Sequence, residues 1–138
     1  MPARDAIHDT VRNALVKDGW TITDDPYILE YEDLVVYPDL GADRSLGAER
    51  GSERMVIEVK SFLGRSSIYE LEHAIGQYLI YRILLSIRDP NCRLFMAVAR
   101  DIHEEVFGNN AVRLIVAELA IRLLVIDPKH EEVVEWIE

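Results

Sequence analysis

The chain has 138 residues and one cysteine, Cys92, so we expect one domain over residues 1–138 and exclude a disulfide framework or cysteine-rich zinc site. Hydrophobic residues make up 49% of the chain, which excludes a disordered or coiled-coil protein. Its net charge of −10 argues against broad adhesion to nucleic acid or to anionic membranes. The N-terminus shows no apolar leader and no apolar run reaches 18 residues, so we expect a cytoplasmic protein without membrane contact.

Hydrophobic spacing predicts alternating helices and strands. It indicates a helix over residues 3–18 that ends at Gly19, a strand at 20–24 and an extended segment at 28–38. The patterns that follow predict, in order, a hairpin of 45–49 and 54–62, a helix after Ser67 with capping-box spacing to Glu70, a buried strand at 93–99, helical segments across 101–118 with a break at 108–110, and strands at 122–127 and 130–138. The predicted order, α-β-β-β-α-β-α-β-β, indicates an α/β (α+β) fold with a mixed central sheet flanked by helices.

Two charged residues interrupt the apolar strand from Met55 to Phe62. Alternation places Glu58 and Lys60 on the same face of this strand, and charged side chains are almost never buried unless they are paired or functional. The pair is therefore either a structural ion pair or part of a functional site.

A hairpin with a four-residue turn brings an acidic residue to this pair. Its register sets Asp43 opposite Lys60, and Asp39, which has the same parity, lies a little further along the strand. Two acidic side chains and the carbonyl of Val59 would form an all-oxygen site suited to Mg²⁺ or Mn²⁺. Beside such an ion, Lys60 would activate water or stabilise charge on a phosphate.

Acidic residues are concentrated in one segment. Residues 24–49 contain eight acids and one base, a net charge of −7. This concentration indicates either a metal site or a surface for a basic partner, and a solvated acidic face is the alternative. The four histidines show no ligand spacing, so we do not expect a histidine-based metal site.

The candidate residues resemble a nuclease motif. Pro38-Asp39, followed after a hairpin by Glu58-Val59-Lys60, is similar to the PD-(D/E)xK nuclease superfamily with its restriction-endonuclease-like core. The next helix carries Gln77 and Tyr81, which resemble the QxxxY element of RecB-like and Cas4-like nucleases.

A closer resemblance, to the XisH family, spans nearly the whole chain. The similar segments are the opening Met-Pro-Ala-Arg-Asp and residues 17–27, 39–44, 48–50, 57–64, 76–82 and 131–138. The family is known as a controlling factor for excision of the fdxN element in heterocyst-forming cyanobacteria. The resemblance implies a nuclease-like fold, a role in programmed DNA rearrangement and a small partner, XisI.

The resemblance also implies roles for single residues. Glu58 would be a metal ligand and Lys60 the catalytic lysine, while Gln77 and Tyr81 would support the lysine or contact the nucleic-acid backbone. The first acidic ligand is left open, because the Pro-Asp dipeptide favours Asp39 whereas the hairpin register favours Asp43. Glu49 is a weaker third candidate.

Two functions from different classes follow. The first is a metal-dependent DNA nuclease or nickase, which at this net charge would need a homodimer, a basic partner or a patch formed by Arg50, Arg54, Arg65 and Arg82. The second is a non-catalytic accessory protein that binds a site-specific recombinase or an XisI-like partner.

Overall fold

A mixed β-sheet between helices forms the centre of the structure. The computed structural model describes residues 7–49, 51–64 and 66–138. In these ranges the elements are α1 (His8–Lys17), β1 (Thr21–Asp24), β2 (Leu29–Tyr31), β3 (Leu34–Val36), β4 (Leu40–Ser45), β5 (Ser52–Val59), α2 (Ser67–Arg88), β6 (Arg93–Ala99), α3 (Arg100–Glu105), α4 (Asn110–Glu118), β7 (Leu123–Asp127) and β8 (Glu132–Ile137).

Six strands make up this sheet, in the order β1-β4-β5-β6-β7-β8. The three central strands β5, β6 and β7 are parallel, and the outer neighbours are antiparallel. Side chains alternate between two cores: Val56 packs with residues of α2, whereas Ile57 packs with residues of α1. The predicted mixed sheet flanked by helices is therefore confirmed, including the buried strand at 93–99.

The region predicted as one extended segment, 28–38, is a separate two-stranded ribbon. Strands β2 and β3 pair with each other and not with the main sheet. They turn at Glu32, which has a positive φ of 54°. Leu29 anchors the ribbon in the core beside α2. Five strands, not three, therefore precede α2, while the helical region between β6 and β7 divides into α3 and α4 at the predicted break.

The predicted hairpin register is wrong. Strand β4 starts at Leu40 rather than at Ser45, and Ser45 pairs with Ser52. The connection lies between Ser45 and Ser52, not between Glu49 and Arg54, and a hydrogen bond from Leu46 N to Gly51 O, at 2.9 Å, closes it. Gly47 and Gly51 have positive φ, which glycine adopts at little cost. Local spacing alone could not reveal where this loop lies.

Helix α2 spans the predicted range but is capped one residue earlier than expected. The hydroxyl of Ser66, not that of Ser67, accepts a hydrogen bond from Tyr69 N at 3.2 Å. Glu70 instead accepts a hydrogen bond from Gly64 N at 2.8 Å. Among the described helices, none is both long and apolar enough to span a bilayer.

Candidate functional site

Asp39 and Glu58 meet where strands β4 and β5 stop pairing. The backbone N–H of Asp39 donates to Glu58 Oε1 at 3.2 Å, and the N–H of Val59 donates to Asp39 Oδ2 at 2.7 Å. Lys60 Nζ lies 3.4 Å from Glu58 Oε2. Backbone hydrogen bonds thus hold two carboxylates side by side, with an ammonium group against one of them.

Glu58 is the most perturbed acid of this cluster. The residue is only 5% exposed, and burial together with the neighbouring Asp39 raises the pKa of its carboxyl to about 9. The positive charge of Lys60 acts in the opposite direction and lowers this pKa. Without a bound cation, Glu58 therefore keeps its proton to a higher pH than an ordinary glutamate.

Helix α2 brings its two predicted residues to the same place. Tyr81 is buried, and desolvation and the negative charges of Glu58 and Asp39 raise the pKa of its phenol. A side-chain hydrogen bond from Gln77 lowers the same pKa in part. The Gln77 Oε1 atom is buried and has no hydrogen-bond partner among the described residues. Tyr81 therefore lies near the carboxylate pair, and Gln77 contacts Tyr81.

A histidine that the sequence interpretation set aside also borders the pair. His8, only 3% exposed, lies with Nδ1 3.6 Å from Asp39 Oδ1, and its Nε2 is 2.8 Å from Asp25 Oδ1. Asp25 in turn accepts a hydrogen bond from Arg12 at 2.5 Å. Histidine spacing could not reveal this contact, since no second histidine takes part. The available signal was the position of His8 on the same helix face as Val11 and Leu15.

Other candidates lie apart from the cluster. In the observed register Asp43 pairs with Arg54, not with Lys60. Asp43 lies four residues after Asp39 in the chain. Glu49 is exposed in the loop before β5.

The predicted basic patch is not assembled by its described members. Arg54 binds Asp89 at 2.7 Å, while Arg82 donates to the carbonyl of Leu119 at 2.5 Å. Arg50 and Arg65 lie outside the described residues. Two of the four arginines are therefore engaged within the fold, at separate places.

The cluster offers a small oxygen donor set. Within the described ranges, no three His, Cys, Asp or Glu side chains are grouped so that they could hold a metal ion. Mg²⁺ is nevertheless often bound by one or two carboxylates, with water and substrate phosphate completing its shell. Asp39 and Glu58 fit that smaller requirement, because each contributes a carboxylate at the same point of the sheet.

A pocket opens beside Lys60. Its volume is about 240 Å³, and its lining consists of Lys60, Ser61, Phe62, Tyr69, Glu70 and His73. A larger cavity, of about 1030 Å³, lies between α4 and β8 and includes none of the candidate residues. The smaller pocket is therefore the one connected to the carboxylate pair through Lys60.

Comparisons with known proteins agree with this architecture. The family model described as XisH protein matches residues 1–134. The crystal structure of an XisH family protein from Nostoc punctiforme PCC 73102 is 33% identical, with a TM-score of 0.88 over 97% of this chain and 100% of that one. A fdxN element excision controlling factor protein from Anabaena variabilis is 34% identical, with a TM-score of 0.88 over 98% of this chain and 100% of that one. No curated protein matches the chain.

Proposed function

The chain belongs to the XisH family, and from this premise we propose that it controls excision of a DNA element as a metal-dependent nuclease or nickase of the PD-(D/E)xK type. The observation that supports the proposal is the meeting of Asp39, Glu58 and Lys60 at one end of the β4–β5 pair. Carboxylates next to a lysine in a partly buried site suit hydrolysis of a phosphodiester.

Each residue has a separate task in this proposal. Asp39 and Glu58 would hold Mg²⁺ or Mn²⁺, which when bound activates water and neutralises charge on a phosphate. The side chain of Lys60 is 18% exposed, so its ammonium reaches solvent and stabilises negative charge on the phosphate. Tyr81 would border the carboxylates on the side of the core, and Gln77 would hold its phenol through a side-chain hydrogen bond.

Cleavage of supercoiled and branched DNA tests the proposal. We expect the wild-type protein to nick these substrates with Mg²⁺ or Mn²⁺ and to be inactive in EDTA. Lys60→Ala should abolish nicking, while Lys129→Ala, which removes an exposed lysine from the turn before β8, should leave it intact. Nicking that survives Lys60→Ala would show that the activity resides elsewhere or in a contaminant.

An accessory role is the second candidate, and the β2–β3 ribbon favours it. The ribbon exposes Tyr31, Leu34 and Val35 to solvent, and exposed apolar groups of this kind are typical of interaction sites. The acids Glu30, Glu32 and Asp33 lie among them, which favours a partner with a basic surface.

A basic partner would also supply the phosphate-binding charge that a chain at −10 lacks. An XisI-like protein and a site-specific recombinase are the partners to test, whereas a homodimer would only double the negative charge. Two results together would favour this candidate over the nuclease. The folded wild-type protein would cleave no DNA, and the wild type and the Lys60→Ala variant would form equally stable complexes with the partner.

A further inference from the structure

Four polar and aromatic side chains form a row along α2. Tyr69, His73, Gln77 and Tyr81 are four residues apart, and this spacing places them on one face of a helix. The row begins in solvent, where Tyr69 is 70% exposed, and ends in the core, where Tyr81 is 5% exposed. It therefore leads from the surface to the buried carboxylate pair.

The 240 Å³ pocket lies at the outer end of this row. Two aromatic residues line it, Phe62 and Tyr69, and the Phe62 ring is held edge-on by Phe107 at a centroid distance of 5.6 Å. Phe62 also has a φ of 54°, a left-handed conformation that is strained for an aromatic residue. Phe62 is thus fixed in place in the same pocket wall as Lys60.

One polar atom in the pocket wall has no partner. Glu70 uses Oε1 to accept the hydrogen bond from Gly64, but its Oε2 is buried and has no hydrogen-bond partner among the described residues. A buried acceptor without a donor is costly, so the atom is suited to a ligand that brings an N–H group.

We propose that this pocket binds one unpaired nucleobase that carries an exocyclic amine, and the proposal rests on the nuclease function proposed above. The base stacks on Tyr69, its amine donates to Glu70 Oε2, and the phosphate beside it faces Lys60. Aromatic stacking holds single-stranded bases in many proteins, and carboxylates read amines such as cytosine N4. A guanidinium group of a protein partner would suit Tyr69 and Glu70 as well, but the positive charge of Lys60 opposes it.

Oligonucleotide binding tests the pocket without any cleavage. We would measure fluorescence anisotropy of labelled dC10 and dT10 at low salt in EDTA, and of a mixed-sequence strand before and after annealing to its complement. Wild-type protein should bind dC10 more tightly than dT10, and the single strand more tightly than the duplex. Tyr69→Ala should weaken binding of dC10 about 5- to 150-fold, the range expected for loss of one stacked base. Tyr37→Ala, which removes an exposed tyrosine from the ribbon, should have no effect.

Glu70→Gln tests the readout of the base. Glutamine keeps an oxygen for Gly64 and places an amide N–H₂ group where Oε2 lay, so the preference should shift from dC10 towards dT10. Equal affinity of the wild type for both strands, an unaffected Tyr69→Ala variant, or no binding at all would overturn the proposal. Binding of an arginine peptide but of no oligonucleotide would assign the pocket to a protein partner instead.

The experiments distinguish failure of the nucleobase pocket from failure of the nuclease function. Selective oligonucleotide binding without cleavage in Mg²⁺ or Mn²⁺ would retain the subsite and remove the nuclease. Metal-dependent cleavage by a protein whose Tyr69→Ala variant binds and cleaves like the wild type would retain the nuclease and remove the subsite.

Discussion

Replacing Glu58 by glutamine should remove most of the pH dependence of stability of the metal-free protein. The carboxyl has an ordinary pKa of 4.5 when the chain is unfolded, whereas burial and Asp39 raise it to about 9 in the folded protein. Above pH 4.5 the unfolded chain releases the proton and the folded protein keeps it. The stabilisation is therefore complete below pH 4.5 and is lost as the pH rises towards 9.

The size of this effect follows from the linkage between protons and folding. One pKa unit corresponds to about 1.4 kcal/mol, so this group alone lowers the free energy of unfolding by about 4 kcal/mol between pH 5 and pH 8. Glutamine at position 58 keeps the shape and an oxygen for Asp39 N but does not titrate. Its stability should change far less over the same interval.

Urea unfolding followed by tryptophan fluorescence measures this directly, because Trp20 lies in the core next to Trp136. Wild type, Glu58→Gln and the control Glu49→Gln, which alters an exposed loop acid, would be compared in EDTA at pH 5, 6, 7 and 8. If wild type and Glu58→Gln lose stability in parallel, the buried acid does not dominate the pH dependence and the reasoning is wrong.

Three further outcomes test the packing around the site. Tyr78→Phe should destabilise the fold by about 1–3 kcal/mol in urea unfolding, because the buried hydroxyl donates to Leu94 O at 2.9 Å and accepts from Arg122 N at 3.1 Å. Ser66→Ala should cost about 1 kcal/mol in the same assay through loss of the α2 cap, and unchanged stability would contradict the capping role. Cys92 should react with iodoacetamide about 100-fold more slowly in the folded than in the urea-unfolded protein, because burial raises the pKa of its thiol from 9.0 to about 11. Equal rates would show that its sulfur is freely accessible.

The alternation of side chains along β5 allowed the position of Glu58 to be predicted from the sequence. A period of two residues places Glu58 on the α2 face of β5 whatever the neighbouring strands do. Helical spacing likewise puts Gln77 and Tyr81 on one face of α2. These placements depend only on local geometry, whereas the association of Gln77 and Tyr81 with Glu58 came from the resemblance to the QxxxY element.

Pairing between strands could not be derived in the same way. The register depends on where the loop closes, and the bond between Leu46 and Gly51 closes the loop before β5 earlier in the chain than predicted. Each residue added to a hairpin connection shifts the partner of every residue in the strand. Asp43 was favoured for this reason, although the Pro-Asp dipeptide pointed to Asp39. The contact of His8 with Asp39 depends on how α1 packs on the sheet, and the spacing of residues in the sequence does not predict it.

The exchange of hydrogen bonds between Asp39 and β5 affects how the site can be dissected genetically. Each carboxylate accepts a backbone N–H, so both side chains continue the ladder of the sheet beyond the last regular pair. A substitution at Asp39 therefore frees the end of β5 at the same time as it removes a carboxylate from the proposed metal site, and a loss of the proposed cleavage would not distinguish the two changes. The ammonium of Lys60 contacts Glu58, and the backbone N–H of Lys60 donates to Ala97 O at 2.9 Å, a bond that does not involve its side chain. Of Asp39, Glu58 and Lys60, it is therefore Lys60 whose substitution tests the proposed chemistry without removing an acceptor for a backbone N–H.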